Sequence, residues 1–174
     1  MEFGDKARFA IALELDGDHG GSWLFGRICY WIAGKVVGRY DLGTSLRDVL
    51  FQMTYIIGDG GQRFCPTLLR LPNDKVFDLI LKVIGETSEE IYQYIPQDFL
   101  PARFDVRIPV DVFDSWKIFL VDGLGEARLL YRELDASEVG VAILVSGEFD
   151  KVFRDTHAFL EDIYNAAAGD VMEP

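Results

Sequence analysis

The chain has 174 residues, is 49% hydrophobic and 13% aromatic, and carries a net charge of −12. Its length suits one hydrophobic core. It has no run of eighteen uncharged apolar residues that could span a membrane. Because its start does not resemble a secretory signal, we expect a cytoplasmic protein. The negative charge repels nucleic-acid phosphates and anionic lipid, which argues against function on nucleic acid or at a membrane.

Alternating hydrophobic residues near the N-terminus predict an antiparallel three-stranded meander, with strands at 7–15, 22–32 and 36–40. The Asp, Gly and His residues of segment 16–21 favour a turn between the first two strands. On the second strand, Trp23, Arg27 and Trp31 are expected on a face that a helix covers, with Arg27 reaching its edge.

Helical periodicity dominates the middle of the chain. A first helix is predicted to begin at a cap formed by Thr44 or Ser45 and to stop at the glycine-rich segment 58–61. A second helix is predicted over 73–84 and a short one over 88–95. Prolines at positions 96 and 101 then break the pattern, so we expect a single domain over 1–174 with a candidate seam at 96–102.

The last third again predicts strands followed by a helix. Strands are expected at 103–108, 116–121, 127–134 and 139–145, and a final helix at 148–168, capped by Ser146. The predicted fold class is therefore α+β, with antiparallel meander sheets, packed helices and the approximate order βββ-α-α-ββββ-α.

Motifs for catalysis, cofactors or metals are missing from the sequence. The Asp16-Gly17-Asp18-His19 segment suggests a calcium loop, but Arg27 stands at the twelfth position, where such a loop needs a carboxylate. Zinc, nucleophile-elbow and phosphate-loop motifs do not occur. We therefore predict no cofactor, no metal and no enzyme, although a glycosidase-like pair of carboxylates stays open. Cys29 and Cys65 have no paired spacing and are predicted to be reduced, packed thiols.

The charge is concentrated toward the C-terminus. Residues 111–174 include 14 acidic and 5 basic side chains and so hold −9 of the net −12. A field of this sign speeds the approach of basic partners in a salt-dependent way. It also keeps a protein soluble without any partner, and the charge alone does not decide between these two roles.

Seven segments suggest a family. In chain order they are FGD, RFAIALEL, GSWLFGRICYWIAGKVVG, YDLGTSLRDV, FDSWKIFLVDG, ARLLYRELD and GEFDKVF. Together they resemble immunity protein family 42 of bacterial polymorphic toxin systems. The resemblance implies a small cytoplasmic protein that binds and neutralises a cognate toxin domain, and it implies no individual inhibitory residue.

From this resemblance and the charge we predict neutralisation by occlusion, with an acidic surface facing a basic toxin such as a nuclease. The predicted partner-binding residues are Asp16, Asp18, Asp135, Glu138, Glu148, Asp150 and Asp155. The alternatives are a cytoplasmic ligand-binding or interaction module and, less favoured, a carboxylate-based enzyme. The oligomeric state is not predicted.

Overall fold

The computed structural model describes residues 1–169. The described chain forms eight β-strands and three α-helices. The strands are β1 (Glu2–Asp5), β2 (Phe9–Leu15), β3 (Phe25–Ile32), β4 (Lys35–Val37), β5 (Thr44–Ser45), β6 (Trp116–Asp122), β7 (Glu126–Glu133) and β8 (Gly140–Val145), and the helices are α1 (Leu46–Gly58), α2 (Asn73–Ile84) and α3 (Glu148–Gly169). These elements confirm the predicted α+β class and, approximately, the predicted order.

The chain divides into two compact units. Of the described residues, unit 1 contains 1–58, 108–114 and 149–169, and unit 2 contains 59–107 and 115–148. The divisions fall next to residues 58, 107, 114 and 148, and none of them lies in the predicted seam at 96–102. The single domain over 1–174 stays a prediction, because compact units can unfold together or separately.

Unit 1 contains a five-stranded antiparallel sheet in the order β1-β2-β3-β4, with β5 pairing with the start of β3. The predicted meander is confirmed in β2, β3 and β4. However, the strand predicted at 22–32 begins only at Phe25, because Gly21–Trp23 form a 3-10 turn and Leu24 adopts a left-handed φ of 53°. Local patterning does not predict the edge strand β1, whose residues are mostly exposed.

Stacked aromatic rings form the core of unit 1. Phe9 of β2 stacks on Phe149 and Phe153 of α3, with ring centroids 4.8 and 6.2 Å apart. Tyr30 of β3 contacts Phe113, which lies in the segment 108–114, at 4.5 Å. These contacts pack α3 against the sheet. They also show why the 108–114 segment belongs to unit 1, although a long stretch of sequence separates it from the sheet strands.

Helix α1 begins where the sequence predicts a cap. The backbone N–H of Asp48 donates a hydrogen bond to Oγ of Ser45 at 3.2 Å, which satisfies one of the free donors of the first turn. The helix buries one face, formed by Leu46, Val49, Leu50, Met53 and Ile56. It ends at Gly58, where the glycine-rich segment was expected to stop it.

Unit 2 contains a three-stranded antiparallel sheet in the order β6-β7-β8. The strand predicted at 103–108 is wrong: Pro101–Phe104 form a 3-10 turn, and Asp105 makes an isolated bridge with Phe119 of β6. Proline at the start of a helical turn is favoured because its missing N–H is not needed there. The alternating hydrophobic residues Phe104 and Val106 predict a strand, but the structure buries them from an extended segment that forms no continuous ladder.

Helix α2 spans the predicted residues 73–84 and packs against the sheet of unit 2, where Phe77 lies 4.9 Å from Phe119. The short helix predicted at 88–95 is instead a 3-10 turn, Glu90–Gln93. Arg128 of β7 fixes the entry to α2, since its guanidinium donates hydrogen bonds to the carbonyl oxygens of Leu69 and Leu71 and to Oδ1 of Asn73 at 2.7, 3.3 and 2.9 Å.

Candidate functional site

Two of the predicted partner-binding carboxylates lie in the β2–β3 loop of unit 1. Asp16 is half-buried, and its backbone N–H donates to the carbonyl oxygen of Phe25 at 3.0 Å. Asp18 is exposed, and its Oδ1 accepts a hydrogen bond from the Gly20 N–H at 3.3 Å. Within residues 1–169 neither carboxylate has a basic partner, so both keep their charge available at the surface.

Two more of these carboxylates lie on α3 beyond its first residue, Glu148. Asp155 forms an ion pair with Lys151 one turn earlier, so part of its charge is compensated within the helix. Asp150 is half-buried near the start of the helix. The α3 pair is therefore less available to a partner than Asp16 and Asp18.

The remaining three lie in unit 2. Asp135 and Glu138 are exposed in the turn that joins β7 to β8. Glu148 follows β8, a strand about 17 Å long, and its Oε2 accepts a hydrogen bond from the Val145 N–H at 3.0 Å. Within unit 2 the structure thus brings Asp135 and Glu138 together and leaves Glu148 at the opposite end of β8.

Unit 1 has an exposed aromatic group that the sequence patterns do not predict. Trp23 and Phe25 are 49% and 44% exposed, and their rings are parallel within 2° at 6.2 Å between centroids. The guanidinium of Arg47 stacks on the Trp23 ring, with Cζ 3.7 Å from the ring centroid. Trp23 was expected under a helix beside Arg27; it is instead exposed and paired with Arg47.

The local backbone holds this group in place. Oγ of Ser45 donates to the Trp23 carbonyl oxygen at 3.1 Å while accepting from the first turn of α1. Gly20 has a φ of 67°, and a Cβ there would lie 2.9 Å from the ring of Phe25. A side chain at position 20 would therefore need both a strained backbone and a displaced ring.

The exposed group continues along α1. Arg47, Phe51 and Tyr55 are spaced four residues apart, so they form one row on the helix surface about 12 Å long. Phe51 is 48% exposed and Tyr55 74% exposed. Phe51 also makes an edge contact with Tyr164 of α3 at 5.5 Å. We call Trp23, Phe25, Arg47, Phe51 and Tyr55 the aromatic ridge.

Comparison with known families decides what kind of protein carries these surfaces. The family model described as immunity protein 42 matches residues 1–159, which is most of the chain. The chain belongs to this immunity protein family. Toxin neutralisation is therefore its function, and a cognate toxin is its partner.

Solved structures give an independent view of the fold. The crystal structure of CdiI from Burkholderia dolosa AUO158 is similar to this immunity protein, with a TM-score of 0.70 and 20% sequence identity. The similarity covers 91% of this chain and 99% of the CdiI chain. At this identity it shows a shared fold. A search of curated proteins finds no match.

Residues 1–169 of this immunity protein were also compared with the requirements of a metal site and of a membrane-spanning helix. In that part of the chain, no group of three or more His, Cys, Asp or Glu side chains is arranged to hold a metal ion. No helix there is long and apolar enough to cross a membrane. The predictions that it needs no cofactor and catalyses no reaction stay predictions.

A cavity of about 220 Å³ is lined by residues of the sheet in unit 1. Its lining includes Lys6, Ala12, Cys29 and Trp31, and Nζ of Lys6 lies 4.6 Å from the Trp31 ring centroid. Burial raises the pKa of the Cys29 thiol to about 11, and burial likewise raises the pKa of Cys65 to about 11. The thiol at the cavity is therefore protonated at neutral pH and is a poor nucleophile.

We expect both thiols to resist modification in the folded protein. At pH 8 a thiol with a pKa of about 11 is ~0.1% thiolate, against roughly a quarter for an ordinary cysteine. Ellman's reagent should therefore react at least about 100-fold more slowly with the native chain than with the chain in denaturant. Rapid release of two equivalents from native protein would contradict this expectation.

Proposed function

We propose that this immunity protein neutralises its toxin by occlusion in the cytoplasm and catalyses no reaction itself. Membership of the immunity protein 42 family over residues 1–159 carries the proposal. Occlusion needs only a surface complementary to the toxin, and the exposed carboxylates and the aromatic ridge supply charged and apolar parts of such a surface.

The proposed toxin is a basic domain, of the kind that a nuclease uses to bind nucleic acid. Asp16, Asp18, Asp135 and Glu138 support this, because each lacks a basic partner within residues 1–169. Uncompensated carboxylates attract a basic partner from a distance and raise the association rate. Fast capture matters for an inhibitor that must bind the toxin before the toxin acts.

Co-expression tests the function itself. The toxin domain encoded beside this chain is induced in cells with and without the chain, and survival is counted. We expect survival only when the chain is present. A matched arm carries the chain with a buried-core substitution that unfolds it, which shows that protection needs the folded protein. Equal killing with and without the folded chain would disprove neutralisation.

Charge reversal tests the acidic surface. Changing Asp135, Glu138 and Asp150 to lysine should slow association with the toxin by about 10-fold or more at low salt and reduce its dependence on salt. Surface plasmon resonance at several salt concentrations measures both quantities.

The control for this triple variant makes the same change in net charge elsewhere in the chain. Glu86, Glu89 and Asp98 are exposed side chains outside the predicted surface, and all three are changed to lysine. We expect a smaller loss in association rate for the control. Unchanged low-salt affinity in a folded Asp135, Glu138 and Asp150 variant, or an equal loss in both variants, would remove the site assignment.

A further inference from the structure

We infer that the aromatic ridge is the anchor by which this immunity protein holds its toxin, and that the toxin patch it contacts carries arginine or lysine side chains. The inference rests on the proposed function. The inference states which surface supplies most of the binding affinity. The carboxylates alone would explain mainly the rate of association.

The composition of the ridge is that of an interface centre. Tryptophan, tyrosine and arginine are the side chains that most often dominate binding energy, and the ridge has one of each beside two phenylalanines. Its four aromatic side chains are between 44% and 74% exposed. Each therefore keeps a large apolar area that a partner can remove from water.

The ridge is also held in position before any partner binds. Ser45 fixes both the Trp23 carbonyl and the first turn of α1, and the ring stack joins Phe25 to Trp23 and Arg47. Phe51 and Tyr55 lie on a regular helix. A preorganised surface loses little conformational entropy on binding, so more of the contact energy appears as affinity.

The charges around the ridge identify the chemistry of the partner. Arg47 is compensated by Asp48, whose Oδ1 lies 3.1 Å from Nη2. Asp16 and Asp18 lie in the loop that precedes Phe25, and Glu161 is exposed one turn before Tyr164, which contacts Phe51. Arg27, two residues after Phe25 on β3, lies opposite Glu14 in the β2–β3 register. Since each of these two arginines has a carboxylate beside it, Asp16, Asp18 and Glu161 leave the surroundings of the ridge net negative. Aromatic faces next to carboxylates favour guanidinium and ammonium groups, as Arg47 on Trp23 illustrates within the chain.

A second copy of the chain is a poor occupant for the same reason. In a symmetric dimer each ridge would meet its own equivalent, so the flanking carboxylates of one copy would approach those of the other. Like charges placed together in an interface disfavour association. A basic toxin surface would instead place opposite charges against the carboxylates beside the ridge.

Paired alanine substitutions on the exposed face of α1 test the anchor. The Phe51→Ala/Tyr55→Ala variant removes two ridge side chains and leaves the helix intact, because alanine favours helix. We expect its equilibrium affinity for the purified toxin domain to fall by about 100-fold or more. Calorimetry measures the affinity, and circular dichroism with a thermal melt shows that the variant is folded.

The matched control is Val36→Ala. Val36 has the same exposed fraction as Phe25, 44%, and pairs with Trp31, which lies about 20 Å along β3 from Phe25. We expect the control to bind the toxin like the unchanged chain. An equal loss in both variants would mean that the ridge has no special role.

Leucine substitutions test the cationic character of the toxin patch. Phe51→Leu/Tyr55→Leu keeps apolar volume but removes the aromatic faces, so affinity should fall by about 5–30-fold if cations lie against those faces. Affinity equal to that of the unchanged chain would overturn the arginine or lysine assignment.

The outcomes separate the inference from the function beneath it. An unchanged chain that neither binds nor protects against the toxin disproves the proposed function. An unchanged chain that protects, together with an alanine pair of full affinity, overturns the anchor alone. If the alanine pair instead converts a dimer of the free chain into a monomer and keeps full affinity, the ridge is a self-association surface and the inference is also overturned.

Discussion

Replacing Phe153 with alanine is expected to lower the free energy of unfolding by about 3–5 kcal/mol. Phe153 is fully buried in unit 1, and its ring lies 4.4 Å from Phe149, 5.9 Å from Tyr30 and 6.2 Å from Phe9. The substitution removes the transfer free energy of a phenyl ring and leaves a cavity that stacked, rigid neighbours fill poorly. Urea unfolding followed by circular dichroism measures the loss.

A phenylalanine that is exposed on α1 provides the control for this variant. Phe51→Ala removes the same ring from a side chain that is 48% exposed and keeps one edge contact, with Tyr164, so we expect a loss of only about 1 kcal/mol. Equal midpoints for Phe153→Ala and the unchanged chain would contradict the packing of α3 on the sheet. A stable Phe51→Ala variant would also show that the ridge can be altered without loss of fold.

The same Phe153 variant tests the predicted single domain. Its substitution lies in unit 1, whereas α2 lies in unit 2. If the chain unfolds as one domain, amide exchange at the centre of α2 should accelerate in step with the global loss of stability. Unchanged protection of α2 would instead show that unit 2 unfolds separately.

Elements that depend on local signals are those that the sequence predicts well. Helix α2 begins and ends at the predicted residues because Asn73 follows a proline, Gly85 follows the last residue, and the apolar residues between recur at helical spacing. The β2–β3–β4 meander is likewise found because its strands alternate and are joined by short turns.

Elements that depend on distant parts of the chain are not visible in local patterns. The mostly exposed strand β1 exists because Glu2–Asp5 pair with β2. Phe113 enters the core of unit 1 through its contact with Tyr30, and no spacing in the sequence indicates that contact. The segment 103–108 shows the opposite error, since its alternating hydrophobic residues imitate a strand although only an isolated bridge forms there.

The aromatic ridge was not predicted because Trp23 was expected beneath a helix, and the exposed aromatic residues of α1 were given no role. A signal was nevertheless present in α1. Phe51 and Tyr55 fall outside the stripe of buried residues and continue the row that begins with Arg47. Large aromatic residues on the polar face of an amphipathic helix are candidates for partner contact. The stacking of Arg47 on Trp23, in contrast, depends on tertiary structure.

Replacing Arg128 with alanine is expected to lower the free energy of unfolding by about 2–4 kcal/mol, mostly through the start of α2. Its guanidinium donates to the oxygens of Leu69, Leu71 and Asn73, and the side chain is 20% exposed. Without the guanidinium these three acceptors lose their donor, and water can replace it only in part. Urea unfolding gives the total loss, and amide exchange over 73–77 locates it.

Two variants of β7 show whether the forked hydrogen bonds or the positive charge matters. Arg128→Lys keeps the charge, but a single ammonium group cannot reach the three acceptors that the planar guanidinium reaches. We therefore expect Arg128→Lys to retain less than half of the stability that Arg128→Ala loses. Arg132 lies on the same strand, and its Cζ is 4.6 Å from the Phe77 ring centroid. Arg132→Ala should lower the free energy of unfolding by about 1 kcal/mol or less. Full recovery by lysine, or equal losses at positions 128 and 132, would show that the fork does not hold α2, and that general charge or packing on β7 explains the effect.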